Sequence, residues 1–152
     1  MEEPAAASLA AQHAGPEQLR VLRDLAGEPQ AGQAEEFTAF VKRNRDFHVA
    51  LAEAGGNSRL AAILRHTLDE LQRLFLSGLD LRAAVTDHHG QHGELIAALL
   101  KGSHHQAQEI ARRQIESSRV RVMEALFNAM SSPGAAGPRL NIDPARQASR
   151  RR

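Results

Sequence analysis

The sequence contains no cysteine, no tryptophan and no tyrosine. Without cysteine there is no disulfide scaffold, zinc ribbon, iron–sulfur cluster or thiol nucleophile. The only aromatics are five phenylalanines, so nucleic-acid binding by base stacking is disfavoured. Proline is missing from residues 30–132, with three prolines at or before Pro29 and three at or after Pro133. Ala, Leu, Arg, Glu and Gln fill that interval, a composition and a proline gap that predict an all-helical chain. No apolar run reaches membrane-spanning length. The opening Met1-Glu2-Glu3 lacks the basic segment of a signal peptide. These absences predict a soluble, cytoplasmic protein with no membrane partner.

The formal net charge of +1 over 152 residues joins two unlike parts. Residues 1–130 hold 14 Lys and Arg against 17 Asp and Glu, a net of −3, whereas the segment from Ser131 holds 5 against 1, a net of +4. The first part, 1–130, reads as one domain of ordinary size with no basic face for DNA. The second, 131–152, is rich in Pro, Gly, Ala and Arg and reads as a disordered basic tail. It ends Arg150-Arg151-Arg152. Five positive charges would give only a weak, salt-sensitive contact with phosphates, so a solubilising role is the simpler reading.

Hydrophobic periodicity predicts about six antiparallel helices joined by short loops. The first covers residues 2–14, with Pro4 and two glutamates in its opening turn. The second covers 16–27, with Leu19, Leu22 and Leu25 on one stripe. Residues 28–33 form a loop. A third helix, 34–54, carries Phe37, Phe40, Phe47, Leu51 and Ala54. Gly55-Gly56 ends it and Asn57 caps the fourth, 58–77, in which Leu60, Ile63, Leu64, Leu68, Leu71 and Phe75 are expected to be buried. After a connection at Gly78, a fifth helix covers 81–101 and stops at Lys101-Gly102. Ser103 caps the sixth, 104–130, which presents Ala107, Ile110, Ala111, Ile115, Val122, Leu126 and Met130.

Eight histidines are the unusual inventory: His13, His48, His66, His88, His89, His92, His104 and His105. Neutral imidazole is the commonest transition-metal ligand, and bundles build metal sites from inward side chains on facing helices. His48 follows Phe47, and Asn44 lies one turn earlier on the same face. His92 borders the apolar stripe of Leu95 and Ile96. Both histidines are therefore placed to face one cavity, although spacing alone favours hydrogen-bonded boundary residues. Catalysis finds no support. The serines lie outside any nucleophile elbow, and Gly55-Gly56-Asn57 lacks the lysine and strand of a phosphate loop. Glu35-Glu36 and Asp69-Glu70 read as solvated helix faces, and the carboxylate–histidine pairs of di-iron bundles are missing.

Two runs bear a family resemblance. Asn44-Arg45-Asp46-Phe47-His48-x-x-Leu51-x-x-Ala54-x-Gly56-Asn57-x-x-Leu60 is similar to the first signature of the FCD domain. His92-x-x-Leu95-Ile96-x-Ala98-Leu99-x-x-Gly102-Ser103-x-x-x-Ala107 resembles its second. The opening Glu3-Pro4-x-Ala6-Ala7-x-Leu9-Ala10-Ala11 resembles its first helix. The FCD domain is the effector-sensing, C-terminal domain of FadR-type regulators of the GntR family. The resemblance, over about residues 2–127, implies an all-helical antiparallel bundle that forms homodimers. It also implies an interior site for a small effector, a carboxylate, in many members together with a divalent metal.

Carried over by motif position, the implied effector-binding residues are Asn44, His48, His92 and Gln114, with His48, His92 and Asn44 as the metal positions. The family pattern has an aspartate where Asn44 stands and a histidine where Gln114 stands. Both replacements offer only a neutral carbonyl oxygen, so zinc or nickel should bind weakly or not at all. Asp46, two positions on, points to another side of the helix. The family also places a winged helix-turn-helix before this domain. None fits ahead of the third helix, so this chain alone is not expected to bind DNA. Two other classes remain open from the sequence: a metal-binding helical bundle, and a protein-interaction bundle without a pocket.

Overall fold

The computed structural model describes residues 2–27, 37–76 and 91–131. Among them, every regular element is a helix: α1 (Glu3–His13), α2 (Pro16–Ala26), α3 (Phe37–Ala54), α4 (Ser58–Phe75), α5 (Gln91–Leu100) and α6 (His104–Ser131). The all-helical bundle read from the sequence is the architecture the chain adopts. The loop at 28–33, the connection at Gly78, the expected first half of the fifth helix (81–90) and the tail beyond Ser131 lie outside the described residues.

Local chemistry accounts for the helix ends. Pro16 opens α2, where a missing N–H costs nothing, and Gln18 Oε1 accepts from the Gly15 amide at 2.8 Å. Gly56 turns the chain after α3 at φ +73°, a left-handed conformation that suits glycine. Asn57 then caps α4, its side-chain oxygen accepting from the Leu60 amide at 3.1 Å. Gly102, at φ +62°, closes α5. The Ser103 amide donates to the Ala98 carbonyl and the Gly102 amide to the Leu99 carbonyl, both at 3.0 Å. That pair of bonds satisfies the last free carbonyls of the helix.

α1 sits centrally, packed chiefly along α6 and also against α3, α5 and, more lightly, α4. Its alanines allow this. Ala7 and Ala10 join Leu22, Phe47, Leu51, Leu95, Leu99, Ala107 and Ala111 in the main core. Ala6 faces a second cluster with Ala52, Ala61 and Leu64. Gly55 marks the closest approach, since a Cβ there would lie 2.9 Å from Leu9 Cβ. Phe47, Leu22, Leu51 and Leu95 are the largest fully buried side chains, each contributing roughly 1.5–3 kcal/mol of transfer free energy.

The expected stripes are buried in part. On α3, Phe47, Leu51 and Ala54 are buried as expected, but Phe37 and Phe40 are only half-buried. Val49 and Ala52 are buried instead, because α3 packs against α1 and α2 and also against α4. On α4, Leu64 and Leu68 are buried while Ile63 is 50% and Leu71 38% exposed. α4 packs on α3 and only lightly on α1, so one narrow stripe suffices. On α6, Ala107, Ile110 and Ala111 are buried, and Ile115, Val122 and Leu126 are half-buried. The side chain of Met130 lies outside the description. Arg45 links α3 to α4 through Asp69, at 2.7 Å. Arg65 with Glu53 and Arg113 with Glu94 add cross-helix pairs.

Candidate functional site

The packing that buries Phe47 also brings the two motif histidines together. His48, the next residue on α3, follows it to the edge of the core, with its side chain 14% exposed. His92 enters from the first turn of α5 and stacks on the Phe47 ring, centroids 4.0 Å apart and planes 23° from parallel. The His48 and His92 rings lie 5.2 Å apart, edge to face at 74°. Two residues 44 positions apart in the chain thus share one small volume, held from either side by one phenylalanine.

Asn44, one turn before His48 on α3, has a buried Oδ1 with no hydrogen-bond partner among the described residues. A buried amide oxygen left unpaired costs on the order of 1–3 kcal/mol, which makes it an acceptor available to a bound molecule. Gln114, in the middle of α6, is 7% exposed and is the one buried polar residue among those described. It makes contacts of its own. Asp46 turns away as expected, held by Lys42 at 2.9 Å and by Arg45 at 3.1 Å. His104 and His105, at the start of α6, lie against each other with ring centroids 4.3 Å apart. His105 is exposed and His104 half-buried, close to the solvated pair expected. His88 and His89 lie outside the described residues.

Sequence reasoning missed one residue of this cluster. Glu3, in the first turn of α1, places Oε1 2.7 Å from His48 Nδ1, and its side chain is 12% exposed. From the sequence, Glu3 served only the helix N-terminus. Burial disfavours the charged imidazole, but the Glu3 carboxylate outweighs it and holds His48 above the ordinary histidine range. The approach is a charge contact, since Nδ1 makes no in-line hydrogen bond. The only sequence signal was the likeness of the opening to a first helix, which carries no hint of a partner 45 residues on.

As a metal centre the arrangement meets one requirement and misses the others. Two imidazoles on one tetrahedral ion, with metal–nitrogen bonds of about 2.1 Å, have ring centroids about 5 Å apart, so the histidine spacing is compatible. The remaining donors are not. Asn44 and Gln114 supply neutral amides, and Glu3 lies at a histidine nitrogen. Among the described residues no group of three or more His, Cys, Asp or Glu side chains is placed to hold a metal ion. This donor set does not fit a zinc or nickel centre. The cluster can instead bind by hydrogen bonds and charge. A separate surface groove of about 330 Å³ lies between α1 and α6, lined by Pro4, Ala5, His105, Gln108, Glu109 and Arg112. Neither motif histidine lines it.

No curated protein and no solved structure matches the chain. The family model of the FCD domain does match, over residues 3–117, a span that begins at Glu3 and includes Asn44, His48, His92 and Gln114. No described helix is long and apolar enough to cross a membrane. With its signatures placed on facing helices and more than half of its length covered, the chain belongs to the FCD domain family, the regulatory, effector-binding C-terminal domain of GntR-family transcription regulators.

Proposed function

We propose that this domain senses a small organic acid in the interior of the bundle, through His48, His92, Asn44 and Gln114. The observation that carries the reading is the contact between His48 and His92 around Phe47, which joins α3 to α5 through polar side chains. A ligand bridging these helices changes their relative position. That is the differential contact an effector needs in order to shift a regulator between states. A raised His48 supplies positive charge for a carboxylate, and Asn44 supplies an acceptor for a hydroxyl or ammonium group beside it. Metal binds weakly or not at all, and the site has no catalytic role. We further infer that the domain works as a cytoplasmic homodimer and that this chain by itself does not read DNA. The apolar residues exposed on α4 and α6 support self-association.

A thermal-shift screen of organic acids, with and without divalent metals, tests this. A bound acid at about 100 times its Kd stabilises by about 2.7 kcal/mol, which raises Tm by several degrees. The expected result is a rise with at least one acid that is abolished in His48→Gln and in His92→Gln. A rise that both variants retain places the ligand elsewhere.

A further inference from the structure

Two glutamates open α1, and they are used differently. Glu2 is exposed, while Glu3 is 12% exposed with its carboxylate on His48 Nδ1 at 2.7 Å. Favourable interaction with the helix dipole does not explain this difference. That interaction contributes roughly 0.3–1 kcal/mol and is available to an exposed carboxylate such as Glu2. A buried carboxylate, by contrast, is costly unless a partner offsets its desolvation. Among the described residues, His48 is the one cation-capable side chain within ion-pair distance of Glu3. The pairing also matters to the ring. Imidazole has two nitrogens, and the partner of one decides which role the other can play.

We propose that Glu3 is a positioning residue of the effector site: its carboxylate, 2.7 Å from Nδ1 of His48, draws a ring proton to that nitrogen by charge and leaves Nε2 as the nitrogen offered to a ligand. The inference rests on the effector-site reading and deepens it. It adds α1 to the elements that build the site, beside α3 and α5. A carboxylate at Nδ1 favours a proton there in both protonation states, so Nε2 faces the ligand as a donor when the ring is charged and as an acceptor when it is neutral. Asn44 Oδ1, one turn away, is an acceptor in either case and has no partner among the described residues. The effector is therefore one that brings a hydrogen-bond donor as well as any carboxylate, as hydroxy acids and amino acids do.

Nitrogen-15 NMR of the histidine rings in the intact chain tests the proposal without any ligand. Spectra are recorded at rising pH until the His48 signals stop moving, so that the ring is read in its neutral form, and His48→Gln identifies those signals by their loss. In the parent protein His48 is expected in the Nδ1–H form. Glu3→Ala should shift it to the Nε2–H form or to a mixture of the two. Glu3→Gln, whose amide oxygen still accepts a hydrogen bond but carries no charge, should hold more of the Nδ1–H form than Glu3→Ala. Circular dichroism checks that both variants fold. If Glu3→Ala fails to fold, Glu3→Asp, which keeps the charge but is one methylene too short to reach Nδ1, takes its place with the same expectation. A parent ring already in the Nε2–H form, or signals identical in the parent and the shortened variants, would overturn the proposal. The thermal-shift screen separates the two readings. Glycolate, lactate, glycine and alanine should shift Tm where acetate and propionate do not. Equal shifts from acetate and lactate would sink the donor requirement. No shift with any acid, with the tautomer held by Glu3, would instead remove the effector reading and leave the Glu3–His48 geometry standing.

Discussion

At the scale of single residues, this site is defined as much by two replacements as by the histidines it keeps. Asn44 and Gln114 stand where the family pattern has an aspartate and a histidine, and that change of chemistry was legible in the sequence. Swapping a charged oxygen and a nitrogen donor for two neutral carbonyls removes the features that select zinc or nickel. The structure adds that the Asn44 oxygen is buried and unpaired among the described residues, which no spacing could reveal. It follows that the donor set should be reversible. Isothermal titration of the parent with zinc or nickel is expected to show no one-site binding of micromolar affinity. Asn44→Asp combined with Gln114→His is expected to gain it, with a rise in affinity of tenfold or more. Micromolar one-site binding by the parent would end the weak-metal reading. Glu3 illustrates the opposite limit of sequence reasoning. Its role depends on a side chain 45 residues away, and an acidic residue at a helix start has a sufficient local explanation.

At the scale of elements, the helix limits were largely written in turn chemistry. Gly56, Asn57 and Gly102 each occupy the position their residue type favours, and the helix ends beside them fall within a residue of those expected. The buried faces were less legible, because periodicity reports that a helix has an apolar stripe but not how many neighbours it meets. α3 meets three neighbours and buries Val49 and Ala52 beyond its expected stripe. α4 rests on one main neighbour and leaves Ile63 in solvent. Gly55 is the sharpest point of element packing. It looked like a plain helix breaker, yet it is buried where α1 crosses the end of α3. An added Cβ would meet Leu9 Cβ at 2.9 Å and the Ala6 carbonyl oxygen at 3.3 Å. A Cβ and a backbone oxygen cannot rotate aside, so α1 would have to shift. Gly55→Ala should destabilise the fold by about 1–3 kcal/mol, read as a lower urea midpoint at unchanged m-value. Since α1 also carries Glu3, the same shift should weaken the Glu3–His48 contact. An unchanged midpoint would mean that the α1–α3 contact gives way freely.

At the scale of the whole molecule, the apolar residues left in solvent on α4 bear on assembly. Ile63 and Leu71 are exposed on one stripe with Thr67, and the half-buried Leu60 and Leu74 end it, Leu60 also packing against the cluster of Ala61 and Leu64. The stripe reads the same in both directions about Thr67. Leu60 and Leu74 lie seven residues to either side, and Ile63 and Leu71 four. A two-fold interface must be complementary to itself, and two copies of α4 crossing antiparallel at Thr67 would set Ile63 of one copy against the partner subunit's Leu71. The homodimer proposed above therefore has a specific face. Ile63→Glu is expected to weaken the dimer at least tenfold by placing a carboxylate in an apolar contact, measured by analytical ultracentrifugation across a dilution series. Leu71→Lys should do the same. The double variant should recover much of the loss, because the new charges meet across the two-fold axis and not within one helix, where they are eight residues apart. Ile63 is 50% and Leu71 38% exposed, so the single variants should keep the parent helical content. Recovery in the double variant is particular to this axis. A dimer weakened by neither single variant, or by both without rescue, would place the subunit contact on another surface.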